Sequence, residues 1–398
     1  MQANKVTNRY RYPISDQELD RRYAATQKAI QEAGLDCVLT QNHCPIFDGG
    51  IRYYLDQPTN GYSTVLLIPA EGKMLMIDHG PELGGPVPSN LRNVEKMYVK
   101  PYCLTFTFSD TMAAEVMTAE IKERGCRRIG LYGTQFISYS FGAFLKENLP
   151  DVEFVNFNAQ MDAIAAVKSP EEMELCELSV RYHERLFDAL PALIVPGKLE
   201  CEVRADLEHL ARYMGCENIG NVAVGSAEPD TPCMFVPHFK GNRRIQKGDT
   251  VAVMIEVSGP GGMYSELART FTLGRPSDKL LKLFDIARGT QEAVAAAAKP
   301  GVTGAELTRI FDEYVDSFHV GIGHNTRNAG HSQGYDMMET PAIAAQETTP
   351  FQENMFVSIH PELTALDNFA ICCDNFFITK DGAKRITRTE QKIFQLDV

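Results

Sequence analysis

Residues 251–271 read VAVMIEVSGPGGMYSELARTF. Val251, Val253, Ile255 and Val257 alternate with Ala252, Met254 and Glu256, the period-two pattern of a half-buried strand. A glycine-rich turn follows and the chain returns, which predicts an antiparallel hairpin. With the turn centred near Gly261, Glu256 and Glu266 fall opposite each other, their side chains about 5 Å apart on one face. Two bare carboxylates that close repel, and one acquires a raised pKa unless a cation or a shared proton intervenes. The pair therefore predicts either a positive species at this point or two acids on a solvated edge.

Working outward, the 398 residues exceed the length at which one core usually stops growing, which predicts two domains. Hydrophobic residues make up 44% and charged residues 23%, the balance of a globular chain and not of a disordered one. Lys and Arg number 39 against 52 Asp and Glu, a net charge of −13, which argues against nucleic acid or an anionic membrane surface as the main partner. The first 22 residues are polar, without the apolar core of a signal peptide, and no long uncharged apolar run follows. A cytoplasmic protein is expected. The ten cysteines are scattered, with no CxxC pair, and are expected to be reduced thiols.

Residues 16–34 carry a helical pattern ending in glycine, and LDCVLT after them is strand-like. GYSTVLLIPAEGKMLMIDHG predicts a hairpin around Glu71-Gly72, and RRIGLYG and VEFVN add strands. We place the domain boundary between residues 160 and 161. Just beyond it, Ser169-Pro170-Glu171-Glu172 is a capping box with proline at the first helical position. A further helix is framed by Ser277 and by Lys299-Pro300-Gly301. Both domains mix helices and strands, so the fold class is α/β (α+β).

Beyond the hairpin, the groups able to do chemistry lie in PHFKGNRRIQKGD (His238), NAGHSQGYDMMETP (His331, Glu339), FVSIHPEL (His360) and AICCDNFFITKDG (Cys373, Asp374). Carboxylate and imidazole are ordinary ligands of Mn, Fe, Co or Zn.

In order and composition these segments resemble the creatinase, prolidase and methionine aminopeptidase superfamily (M24-like). GLDCVLT and IRYYL resemble its N-terminal creatinase-type domain, here residues 1–160. KSPEEMELC and KPGVTGAEL resemble its catalytic domain of pita-bread fold, here residues 161–398. The resemblance implies five ligand positions, occupied here by Glu256, Glu266, His331, His360 and Cys373, with Asp374 adjacent. Both bridging acids of a two-metal site are thereby replaced. The implied cofactor is none or one divalent ion, Zn or Fe rather than paired Mn.

His238 matches the histidine of the family's PH motif, a substrate contact in the peptidases and the general base in creatinase. The other peptidase histidine is replaced by Met338, ahead of Glu339-Thr340-Pro341, and the acid that precedes Arg269-Thr270 in creatinase is Ala268. These replacements favour a non-peptidase member, a hydrolase or lyase cleaving a non-peptide carbon–nitrogen or carbon–heteroatom bond of a small cationic substrate. His238, Glu266, His331 and Glu339 are its expected catalytic groups, and Glu256, Arg269 and His360 its substrate contacts. Two alternatives stay open: a metal-dependent Xaa-Pro peptidase with a remodelled one-metal site, and a non-catalytic binding module. The resemblance also implies a homodimer, with Tyr54 or Tyr62 either covering the neighbouring site or packed as core aromatics.

Overall fold

The computed structural model describes residues 12–59, 62–80, 86–101, 106–233, 235, 242–321 and 329–397. One unit of the chain ends at Ala165 and a second begins at Ala166.

In the first unit, α1 (Asp16–Glu32) is capped by Ser15, whose side chain accepts from Glu18 N. β1 (Cys37–Asn42), α2 (Gly49–Leu55), β2 (Thr64–Pro69), β3 (Met74–His79), β4 (Val94–Lys100), α3 (Phe106–Glu123), β5 (Arg128–Tyr132), α4 (Tyr139–Asn148), β6 (Glu153–Asn156) and α5 (Asn158–Ala166) follow. The strands form one sheet in the order β4-β3-β2-β1-β5-β6. The predicted hairpin is β2–β3, antiparallel with Val65 opposite Ile77, and Gly72 sits in its turn at φ 92°. β5 joins β1, and β6 joins β5, in parallel. Leu39, Val65 and Leu75 pack with Met117 of α3 and Leu145 of α4. Each such fully buried aliphatic side chain contributes about 1.5–3 kcal/mol. Tyr54 is part of this unit's interior, its hydroxyl 2.8 Å from Thr26 Oγ1, so it packs as a core aromatic.

The second unit opens with α6 (Pro170–Leu193). Its predicted capping box is present: Ser169 Oγ accepts from Glu172 N and Glu172 Oε2 accepts from Ser169 N. α7 (Glu200–Met214) stops at Gly215 in the left-handed region. β7 (Ile219–Ala227), β8 (Thr250–Ser258), β9 (Tyr264–Thr272), α8 (Asp278–Ala297), α9 (Gly304–Asp316), β10 (Gly330–Ser332), β11 (Glu339–Ala342), β12 (Phe356–Ile359), β13 (Glu362–Ala365), β14 (Asn368–Ile371), β15 (Asp374–Thr379), β16 (Gly382–Arg385) and β17 (Phe394–Gln395) complete it. Two sheets run β17-β9-β8-β7 and β11-β10-β12-β15-β16, with β13–β14 a separate hairpin.

β8 and β9 form the predicted antiparallel hairpin, and Glu256 is the direct partner of Glu266. Gly261 and Gly262 turn it at φ 98° and 91°. The half-buried pattern is corrected: every residue of β9, and every residue of β8 except Met254, is buried. Val251, Val253, Ile255 and Val257 pack with Leu186 and Leu190 of α6. The opposite face, read as the wetter one, packs Ala252 and Ala268 against Ile371 and Cys373. The glutamate face of the hairpin therefore points into protein and not into water. Among the described residues, no helix is long and apolar enough to cross a membrane.

Candidate metal centre

Glu266 projects from β9, His331 from β10 and His360 from the residue after β12. Strand register brings them together. His331 pairs with Ser358 across β10–β12, and Ser358 pairs with Asn375 across β12–β15. The Asn375 side chain then reaches β9: its Oδ1 accepts from Glu266 N at 3.1 Å and its Nδ2 donates to Glu266 O at 2.7 Å. An amide side chain thus completes a strand-like bridge between the two sheets. His331 Nε2 lies 3.5 Å and His360 Nε2 3.9 Å from Glu266 Oε2, which also accepts from Ser358 Oγ at 3.1 Å. All three side chains are buried, and one donor atom from each lies within 4.8 Å of the others.

The charges in this pocket are unequal. Burial, then repulsion from Glu266, pushes Glu256 up to about 8, so it carries a proton at neutral pH. Burial opposes ionisation of Glu266 too, but His360 and His331 outweigh it and hold its carboxyl well below the usual range. His331 is pushed down by burial and more than restored by Glu266 and Glu256, whereas burial leaves His360 lowered. Both imidazoles thus face one carboxylate, Glu266. The opening expectation of a repelling pair with one raised pKa is met by this separation.

A divalent metal fits these residues. His331 Nδ1 donates to Ser332 O at 3.0 Å, which fixes the tautomer and leaves Nε2 facing Glu266 as a lone-pair donor. His360 Nδ1 is buried without a hydrogen-bond partner among the described residues, and the other ring nitrogen, Nε2, faces Glu266 Oε2 at 3.9 Å. Two imidazoles and one carboxylate are the set that holds catalytic zinc with a position open, and also the facial triad of non-haem iron.

The other sequence candidates fall elsewhere. Glu256, although opposite Glu266, is outside the group whose donor atoms lie within 4.8 Å of one another. Cys373 is outside it as well. Its thiol is fully buried, 3.3 Å from Ser358 Oγ, and burial followed by repulsion from Glu266 raises its pKa far above the ordinary value. Asp374 accepts from Arg269 and Arg385 at 2.6 and 3.0 Å and is a structural anion. Arg269, expected to contact substrate, is fully buried. Its five N–H groups go to Glu390 O, Ala268 O, Cys373 O, Asp374 Oδ1 and Thr389 O, which corrects its role to a structural one. Glu339, expected to be catalytic, is paired with the buried Lys168 at 2.5 Å and is not brought to the metal group. His238 lies outside the described residues.

Sequence reasoning missed several contributors. Asn375 and Ser358 carry no motif signal, since each matters only through a partner on another strand. Glu362, two residues past His360, is pushed up to about 7 by burial and by Glu266, and the proline between them masked it as a loop acid. His183 lies on the apolar stripe of α6. Val257 N donates to its Nε2 at 3.2 Å, so the proton is on Nδ1, which faces Ser179 O and Ser265 Oγ at 2.9 and 2.8 Å. It anchors the two residues that follow Glu256 and precede Glu266.

A model of metallopeptidase family M24 matches residues 174–389. The chain belongs to that family. This M24 chain is 27% identical to an Xaa-Pro dipeptidase of Pyrococcus furiosus over 350 residues, 86% of its own length and 94% of the relative's. Among solved structures it resembles an Xaa-Pro dipeptidase from Bacillus anthracis, with TM-score 0.76 and 21% identity over 95% of this chain and 100% of the other. A prolidase from Thermococcus sibiricus gives TM-score 0.79 and 17% identity over 96% and 100%. The last two support the mixed α/β, pita-bread fold. The expectation of a non-peptide carbon–nitrogen hydrolase or lyase, with peptidase chemistry disfavoured, is overturned by relatives named Xaa-Pro dipeptidases. It gave too much weight to Met338, His360 and Cys373 as losses.

Proposed function

We propose that this M24 chain is a one-metal hydrolase of Xaa-Pro dipeptides, the alternative that the sequence left open. The observation that carries it is the buried convergence of Glu266, His331 and His360, donor atoms within 4.8 Å, with the His331 tautomer fixed. The names of its relatives support the substrate class.

Glu266, His331 and His360 would hold the ion, which supplies Lewis acidity toward the scissile carbonyl and lowers the pKa of a water. Ser358 and Asn375 fix the side chain and the backbone of Glu266, so its orientation is set before substrate arrives. Glu256, directly across the hairpin from Glu266, would return a proton to the departing proline nitrogen. His238 keeps, from its PH motif, the role of substrate-contacting imidazole.

Elemental analysis of untagged protein, with a Xaa-Pro dipeptide assay in added Zn, Fe, Co or Mn, tests this. About one ion per chain is expected, with cleavage reduced by at least about 100-fold in His331→Ala and His360→Ala. Wild-type protein that neither retains any of these ions nor cleaves would overturn it.

A further inference from the structure

In the first unit Cys37 and Cys126 meet, Sγ to Sγ, at 4.0 Å, with the Cys37 thiol donating to Cys126. Cys37 is the first residue of β1, held in the ladder between Pro69 and Ile129 and fully buried. Cys126 is differently placed. It lies in the connection from α3 to β5, one residue after Gly125 at φ 68°, and retains 8% of its surface. That surface faces a recess of about 150 Å³ lined also by Lys122, Arg127, Asn148 and Asp151. One residue of the pair thus borders the recess, and the other is fully buried.

We propose that Cys37 and Cys126 form a peroxide-responsive dithiol, oxidised to a disulfide by small hydroperoxides that enter through this recess. The sulfur of Cys126 attacks the distal oxygen of the hydroperoxide; the O–O bond breaks, an alcohol or water leaves, and Cys126 becomes a sulfenic acid. The sulfur of Cys37 then attacks that of Cys126, the S–O bond breaks, and the hydroxyl departs with the Cys37 proton as water. Two thiol sulfurs are oxidised and one hydroperoxide is reduced by two electrons. The sulfurs close from 4.0 Å to the bond length of about 2.05 Å when the disulfide forms. The hydrogen bond from Cys37 also lowers the Cys126 pKa, against the opposing effect of burial, which favours its thiolate as the attacking form. The site is independent of the metal centre and of the peptidase reading.

The test uses the full chain treated with hydrogen peroxide, then alkylated and digested without reduction. A peptide joining Cys37 to Cys126 is expected, with two fewer titratable thiols and full reversal by dithiothreitol. Cys201→Ala should leave the link unchanged, since Cys201 is exposed and unrelated. In Cys37→Ser, the resolving thiol is gone and Cys126 should proceed to sulfinic acid. The proposal is overturned if the wild-type protein shows no linked peptide while Cys201 is oxidised, or if thiol loss is unaltered in Cys126→Ser. The linked-peptide measurement needs no variant, so misfolding of either substitution leaves the decision intact.

Discussion

The side-chain amide of Asn375 binds both backbone polar groups of Glu266, 109 residues away, accepting from its N–H and donating to its carbonyl. In the absence of this contact, β9 meets β15 with the backbone of Glu266 unpaired on that side. Asn375→Ala leaves two buried backbone groups without partners and is expected to cost on the order of 3 kcal/mol. Asn375→Asp keeps the acceptor but sets an oxygen against Glu266 O. Both variants should bind metal 10- to 100-fold more weakly, roughly the effect of an outer-shell partner. Urea unfolding and metal competition titration read the two effects, and unchanged metal affinity would refute the positioning role.

His183 gives a pH prediction. Burial lowers its pKa from 6.5 to about 4, and the Val257 N–H pointed at Nε2 leaves no room for a second ring proton. Between these values the unfolded chain binds a proton that the native chain does not. Stability therefore rises with pH through this window and falls as pH drops from about 6.5 to about 4, by about 3 kcal/mol for this one group. Unfolding measured at pH 7 and pH 4.5 should show a smaller difference in His183→Gln than in wild type. An equal difference would mean that His183 is not the titrating group.

Arg269 and Asp374 form an ion pair with both side chains fully buried. Arg269→Ala leaves the Asp374 carboxylate with Arg385 as its remaining guanidinium partner and is expected to destabilise by about 3 kcal/mol, whereas Arg269→Met combined with Asp374→Leu should recover part of the loss. A substrate-contact role would give the opposite pattern, a raised KM with an unchanged unfolding midpoint. Denaturant unfolding alongside dipeptide kinetics separates the two.

Much of the scaffold was legible in the chain. The capping box at Ser169 and the β8–β9 hairpin are local, each written within a few residues of its partners, where caps and period-two alternation act directly. The candidate ligands His331 and His360 could be picked out because an imidazole just after glycine or just before proline is visible in a short motif. Arg269 was misread because a guanidinium in a strand looks available until its five acceptors, four of them beyond residue 370, are in place.

By itself, the sequence determined the fold class, the opposition of Glu256 and Glu266, and the family to which the chain belongs. These depend on short-range periodicity and on the order of motifs. The tertiary structure alone decided which acid of that pair meets the two imidazoles. Glu266 faces two imidazoles, which hold its carboxyl well below the usual range, while burial and repulsion from Glu266 outweigh His331 at Glu256 and push it up to about 8. Electrostatic character in a buried site is set by groups that meet only on folding, and here those groups lie up to about a hundred residues apart.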